Sequence, residues 1–243
     1  MMYANSGRKT PMQDEPKSSP LPSRKHRVFI VDDHAILRQG LAALINGKPD
    51  LEVCGESESA EEALREIPKS GADFAIVDLS LNGMSGLELI KSLRLRRGDL
   101  PVLVLSMHDE LFFAERALRA GANGYLMKNR AVADLEQALR HILEGGVYVS
   151  HKVSDHLLRV MTHSERATQQ SSMELLSDRE IEVFEMVGRG YGNVEISRKL
   201  HLSTRTVEGY RARIKEKLDL KDAAQLFHHA LAWLHGKVAG PSG

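Results

Sequence analysis

The chain has 243 residues, enough for one large domain or two small ones, each with a buried core. Hydrophobic residues make up 42% and charged residues 27%, and 33 Lys/Arg balance 33 Asp/Glu, so a globally basic nucleic-acid binder is excluded and any such signal must be local. The charge is unevenly spread: 13 Lys/Arg face 19 Asp/Glu between Val28 and Val147, against 8 and 3 between Arg198 and Lys221. Cys54 is the single cysteine, which excludes an internal disulfide and reads as a small core residue in a buried strand over Leu51 to Gly55. No stretch approaches the roughly 18 apolar residues of a membrane span. The first 25 residues lack a signal peptide's apolar core. A cytoplasmic protein without membrane attachment is expected.

Residues 1–25 hold Pro11, Pro16, Pro20 and Pro22 among polar residues and read as a disordered tail. From there, five apolar runs of strand length occur in turn: Val28 to Val31, Leu51 to Cys54, Phe74 to Val77, Val102 to Leu105, and Tyr125 to Met127. Helix-period segments separate them, at about Ala35 to Ile45, Ala60 to Ile67, Gly86 to Leu95, Leu111 to Ala120 and Ala133 to Glu144. Strands alternating with helices predict a parallel sheet covered on both faces, an α/β domain over 26–147. A linker over 148–172 comes next, with a possible short helix reaching Met161 and a polar run from Thr168 to Ser172. Residues 173–238 show helical periods alone and predict an all-α domain.

Ligands of a parallel α/β sheet bind beyond the carboxyl ends of its strands. The first run ends in Asp32 and Asp33, the third in Asp78, the fourth in Ser106 and the fifth in Lys128. Three neighbouring carboxylates repel one another unless a cation sits among them, and oxygen ligands suit Mg²⁺. A carboxylate is also a nucleophile toward phosphorus, and that transfer needs the phosphoryl charge neutralised. Asp78, ending the middle run, is the candidate nucleophile; Asp32 and Asp33 are free to hold metal, Lys128 to neutralise charge, and Ser106 to bond a phosphoryl oxygen. A lone Asp at a strand end can instead cap the next helix, and Asp33 stands where it could do so before Ala35. Five suitable residues at once favour the chemical reading.

These residues, with Leu79, Ser80, Leu81, Gly83, Met84, Ser85, Gly86, Tyr125, Leu126 and Met127, resemble a response-regulator receiver domain over about Arg27 to Val147. The resemblance implies a flavodoxin-like (βα)5 fold with strand order 2-1-3-4-5. It implies phosphorylation of Asp78 by a cognate sensor histidine kinase, and Mg²⁺ held by Asp33, Asp78 and the backbone carbonyl of Ser80 with Asp32 nearby. It also implies a switch in which Ser106 turns toward the phosphoryl group and Tyr125 repacks. Asn82 and Asn129 stand where the family often has Pro, which bears on loop rigidity and phosphoryl lifetime but removes no reacting group.

At the other end, Ser177 with Glu180 forms a capping-box pattern opening a helix with core positions Ile181, Phe184 and Val187. After the turn Gly190, Tyr191, Gly192, Asn193 is placed to cap a second helix, and Ser203 a third that runs to about Leu218. Two helices across a tight turn predict a helix-turn-helix. The third helix carries Val207, Ile214 and Leu218 on one side and Thr206, Tyr210, Arg211, Arg213 and Lys217 on the other, a basic face suited to the major groove. A solvated amphipathic helix would share that face.

The ordered residues from Leu176 through Leu218 resemble the LuxR-type helix-turn-helix, and the pair of domains resembles the NarL/FixJ response regulators. An all-α four-helix domain is therefore expected, with Asn193, Thr204, Arg205, Thr206, Glu208, Gly209, Tyr210, Arg211, Arg213 and Lys217 at double-stranded DNA. The resemblance also implies transcription regulation, a homodimer when phosphorylated, and a dimerising role for the helix over Asp222 to Leu234. Glu208 stands where many members have Lys, so a different target sequence is expected. One rival reading is a phosphatase with an aspartyl nucleophile, which usually has a second Asp where Ser80 stands. Another is a DNA-binding protein controlled by a ligand or a protein contact without phosphate.

Overall fold

A computed structural model describes residues 24–162, Met173 and residues 175–235. Residues 1–23 of the expected tail and the polar run 168–172 lie outside them. The five strands are β1 (His26–Val31), β2 (Leu51–Ser57), β3 (Phe74–Val77), β4 (Val102–Ser106) and β5 (Gly124–Met127). They form one parallel sheet in the order β2-β1-β3-β4-β5, as the receiver resemblance implies. Five helices alternate with them: α1 (Ala35–Asn46), α2 (Ala60–Ser70), α3 (Gly86–Arg96), α4 (Glu110–Ala120) and α5 (Ala131–Leu143).

Alternate residues of the central strands feed two cores, because side chains along a strand point to opposite faces. Val28, Ile30, Phe74, Ile76, Leu103 and Leu105 pack against Leu41 and Ile45 of α1 and Leu135 and Leu139 of α5. Phe29, Val31, Ala75, Val77, Val102 and Val104 meet α2, α3 and α4 on the other face. β2 runs to Ser57, past the expected end at Cys54, and as an edge strand it leaves Cys54 half-buried rather than in the core. Helix α2 continues three residues past its expected end at Ile67, through Pro68. Pro68 cannot donate to the Leu64 carbonyl, and the Arg96 guanidinium donates to it instead at 3.4 Å.

Beyond the sheet, α6 (His151–Thr162) occupies the expected linker and packs against α4. The second domain comprises α7 (Asp178–Gly188), α8 (Asn193–Lys199), α9 (Thr204–Lys217) and α10 (Ala223–Leu234). The Ser177–Glu180 capping box opens α7, and Ser203 accepts from the Thr206 amide at the start of α9. Asn193 is not the cap of α8: Gly192 holds that position, donating its N–H to Glu195, which leaves the Asn193 side chain free to bond Arg211. The core of this domain, with Ile181, Phe184, Ile196, Val207, Ile214, Leu226 and Trp233, is continuous with the receiver core on the α2, α3 and α4 face.

Gly86 sets how closely α3 can approach the carboxyl end of β3. A Cβ there, at the start of the helix, would lie 2.0 Å from the Asp78 carbonyl oxygen and 2.7 Å from Leu79 Cα, so only glycine permits this contact. Replacing Gly86 with Ala is expected to cost about 1–3 kcal/mol, the usual range for overpacking. Urea unfolding would measure it, and an unchanged midpoint would contradict the close packing.

Candidate functional site

Register decides what gathers at the carboxyl edge of the sheet. Val31 pairs with Val77, so Asp32 and Asp78, each the next residue, emerge side by side. Ser106 pairs with Met127, so Lys128 follows at the same rim. The Lys128 ammonium lies 2.7 Å from Asp32 Oδ2 and 2.7 Å from Asp78 Oδ2, and all three side chains are buried. One cation thus serves two carboxylates. Burial holds the Asp78 carboxyl above its usual pKa, with Asp32 adding to the rise while Lys128 opposes it. Burial works against the Lys128 charge, yet Asp78 and Asp32 keep its pKa above the ordinary lysine value.

Asp33 does not cap α1. His34 takes the cap position without a side-chain bond, and Asp32 accepts from the His34 amide at 2.8 Å. Asp33 Oδ1 instead lies 2.6 Å from His34 Nδ1, and Asp33 Oδ2 lies 3.5 Å from His201 Nε2. One ligand atom from each of Asp32, Asp33, His34 and Asp78 falls within 4.8 Å of the others, and Asp78 Oδ1 is buried without a hydrogen-bond partner. A dense set of hard oxygens with an orphaned carboxylate oxygen fits a divalent cation such as Mg²⁺.

Ser106 and Tyr125 are buried at the same rim. Ser106 Oγ accepts from the His108 amide at 3.1 Å, and the Tyr125 hydroxyl donates to the His108 carbonyl at 2.9 Å. Burial raises the Tyr125 pKa well above its ordinary value, so the phenol stays a donor. Ser80 Oγ contacts His108 Nε2 at 2.8 Å.

On the second domain, Thr204, Arg205, Thr206 and Glu208 are exposed along the first turns of α9, while Gly209, Tyr210 and Arg211 are half-buried. Arg211 donates to Asn193 Oδ1 at 3.0 Å, joining α9 to α8, and Arg213 stacks over the Tyr210 ring at 4.6 Å. Lys217 and Arg213 stay exposed, as the helical period suggests, and both pair with Glu180. Lys217 donates to Glu180 Oε2 at 2.7 Å and Arg213 lies 3.4 Å from Glu180 Oε1, since Glu180 is buried under α9 and needs countercharge.

The sequence motifs do not name the residue pairs that join the two domains. Arg179 donates to the carbonyls of Leu81 and Gly83 at 2.6 and 2.9 Å, gripping the loop after Asp78, and to Glu182 at 2.6 Å. Asp178 pairs with Lys91 and Arg116, and the Phe112 ring of α4 packs at a tilt against Trp233 of α10, with ring centroids 4.0 Å apart. His108 Nδ1 meets Glu185 Oε2 at 2.5 Å. Burial opposes the His108 charge, but Glu185 carries its pKa above the usual histidine value; burial raises and His108 and Arg189 more than offset it for Glu185, which sits below the usual carboxylate range. A signal existed for Glu182 and Glu185, acids interleaved with the apolar stripe Ile181, Phe184, Val187. His34 and His108 come soon after strand-end residues, but nothing local shows where either ring turns.

An acidic strand-end pocket sharing a buried interface with a helix-turn-helix places the chain among regulators in which one module's chemistry governs another's contact with DNA. Residues 28–140 match the response regulator receiver domain, and residues 174–230 match the LuxR family of bacterial regulatory proteins. The chain belongs to the response regulators of this LuxR type: it is a DNA-binding transcription regulator rather than an enzyme. It is 33% identical over 209 residues to the oxygen regulatory protein NreC of Staphylococcus haemolyticus, covering 84% of this chain and 96% of that one. Among solved structures, RcsB of Salmonella enterica serovar Typhimurium, bound to promoter rprA with a phosphomimetic, aligns with a TM-score of 0.56 at 26% identity, over 84% of this chain and 98% of that one. A LuxR-family response regulator of Aurantimonas aligns at 0.54 and 33% identity, over 57% of this chain and 99% of that one.

A carboxylate whose pKa is raised by folding weakens the folded state above that pKa and costs nothing once both states are protonated. In a chelator-containing buffer, Asp78→Asn is therefore expected to raise Tm at neutral pH. The gain should shrink as the pH falls toward the ordinary aspartate value of 3.8. Thermal melts across pH check this, and a lower Tm at neutral pH would contradict the assigned surplus of negative charge.

Proposed function

We propose that Asp78 is the phosphoacceptor of this regulator and that its modification by a sensor histidine kinase controls how the helix-turn-helix meets promoter DNA. The observation that carries the reading is Lys128 shared at 2.7 Å by two buried carboxylates, with one Asp78 oxygen left unpartnered. The free Asp78 oxygen attacks phosphorus, the P–N bond of a phosphohistidine donor breaks, and the leaving imidazole takes up a proton. Asp33, Asp78 and the Ser80 carbonyl, with Asp32 nearby, would hold Mg²⁺, which neutralises charge on the transferring oxygens. Lys128 supplies a further positive charge, Ser106 turns to bond a phosphoryl oxygen, and Tyr125 repacks behind it.

Residues 26–147 form the receiver, 148–172 the connection and 173–238 the effector in this reading, and the protein works in the cytoplasm. Among the described residues no helix is long and apolar enough to cross a membrane. Unmodified, the receiver holds α7 and Trp233 of α10; modified, it releases them, and α10 is free to pair two copies on two half-sites. The exposed Thr204, Arg205, Thr206 and Glu208, with Asn193, Gly209, Tyr210 and Arg211, contact the duplex. Arg213 and Lys217 join them along the same helix.

With a labelled small phosphodonor and Mg²⁺, the parent chain is expected to take up one phosphoryl group and Asp78→Asn none. Equal labelling of both would refute the assignment. For the effector, Glu208→Lys is expected to change the preferred base at one position of each half-site, by about 1–3 kcal/mol of discrimination, because Glu accepts from cytosine N4 and Lys cannot. Selection from a random DNA pool reads this directly, and an identical preferred sequence would remove Glu208 from the base contacts.

A further inference from the structure

We propose that the buried contact between His108 and Glu185 is a latch that reports the state of Asp78 to the DNA-binding domain and, while closed, resists modification of Asp78. The proposal rests on Asp78 being the phosphoacceptor. Four bonds converge on His108. Its N–H donates to Ser106 Oγ at 3.1 Å, its carbonyl accepts from the Tyr125 hydroxyl at 2.9 Å, its Nε2 meets Ser80 Oγ at 2.8 Å, and its Nδ1 meets Glu185 Oε2 at 2.5 Å. The first three partners belong to the rim around Asp78, and the fourth lies 77 residues on, in α7. His108 is 5% exposed and its ring stacks on Phe113 at 4.5 Å, so it has no room to turn independently.

Ser106 cannot both accept from the His108 amide in this geometry and turn to donate to a phosphoryl oxygen on Asp78. Its turning withdraws the acceptor beneath His108, and Tyr125 repacking withdraws the donor to its carbonyl. The segment bearing the imidazole then shifts, and Glu185 keeps only Arg189, which donates to its other oxygen at 2.5 Å. A buried carboxylate stripped of one partner is costly, and parting the domains relieves it by hydration. Coupling between two sites is reciprocal, so whatever opens this contact also favours phosphoryl uptake. His108 is thus a positioning residue: it touches no reacting atom and acts through Ser106 and Glu185.

The test uses the full chain with beryllofluoride and Mg²⁺, and labelled acetyl phosphate for the control, comparing the parent with His108→Gln, Glu185→Gln and the double variant. Each single change is expected to tighten binding of beryllofluoride, a phosphoryl mimic, about fivefold or more, the low end of typical allosteric couplings. Each should also enlarge the radius of gyration by small-angle scattering before any donor is added. The double variant should do no more than the stronger single one. Affinities unchanged or weaker, or effects of the two singles that multiply in the double, would overturn the latch. Should a variant fail to fold, the ¹⁵N resonances of the His108 imidazole in the parent decide: they are expected to move when beryllofluoride is added, and resonances that stay in place overturn the proposal. An Asp78→Asn control separates the two readings. Label retained there defeats the phosphoacceptor assignment, whereas label confined to Asp78 with unaltered latch variants defeats the latch alone.

Discussion

Everything in the pocket depends on one ammonium group placed between two buried carboxylates. Asp32 and Asp78 are forced together because β1 and β3 pair in a register that makes both the first residue past a matched pair of valines. Two such charges in a low-dielectric rim would drive the strand ends apart or force one of the groups to protonate. Lys128, delivered by the pairing of β5 with β4, cancels one of the two charges. The rest of the charge is left standing in a place prepared for a cation and a phosphoryl group. The close approach of Gly86 to the Asp78 carbonyl holds the same strand end from the other side.

The second dependence is the interface between the domains, in which buried charges sit beside a shared apolar core. Arg179, Glu182, Glu185 and His108 are all buried in it, and Phe112 on Trp233 is its main aromatic contact. Buried ion pairs contribute little net stability, because desolvation cancels most of their attraction, but their geometry is exacting. An interface of that kind is suited to a switch. It forms when every partner is in place, and when one shifts the other charged groups are hydrated on separation.

The recognition helix is not covered as a whole. The outer residues of its first turns stay exposed, while its last turns are tied down through Arg213 and Lys217 to Glu180. What the receiver occupies is α7 and the aromatic end of α10, so the docked arrangement bears on pairing of two copies more than on the reading face itself. His201, in a left-handed conformation at the turn before α9, also reaches toward Asp33. The acidic pocket and the helix-turn-helix are thus neighbours in space as well as partners in sequence.

The sequence by itself determined the two domains, the five strands and the residues at their ends, because short apolar runs with a polar stop are local properties that burial enforces. Asp32, Asp33, Asp78, Ser106 and Lys128 were legible for that reason, as were the Ser177 and Ser203 caps and the basic helix after them. Ends and edges were less so: Cys54 lies half-buried because β2 is an edge strand, and α2 passes Pro68 because Arg96 takes up the carbonyl that the proline leaves. Gly192 in place of Asn193 as the cap of α8 likewise reflects a contact with Arg211 across the helix-turn-helix. Only the tertiary structure decided that His108 faces Glu185, that Arg179 grips the loop after Asp78, and that Lys217 pairs with Glu180. Those are pairings of charges far apart in the chain, and no periodicity encodes them. They exist only once both domains are folded and share one core.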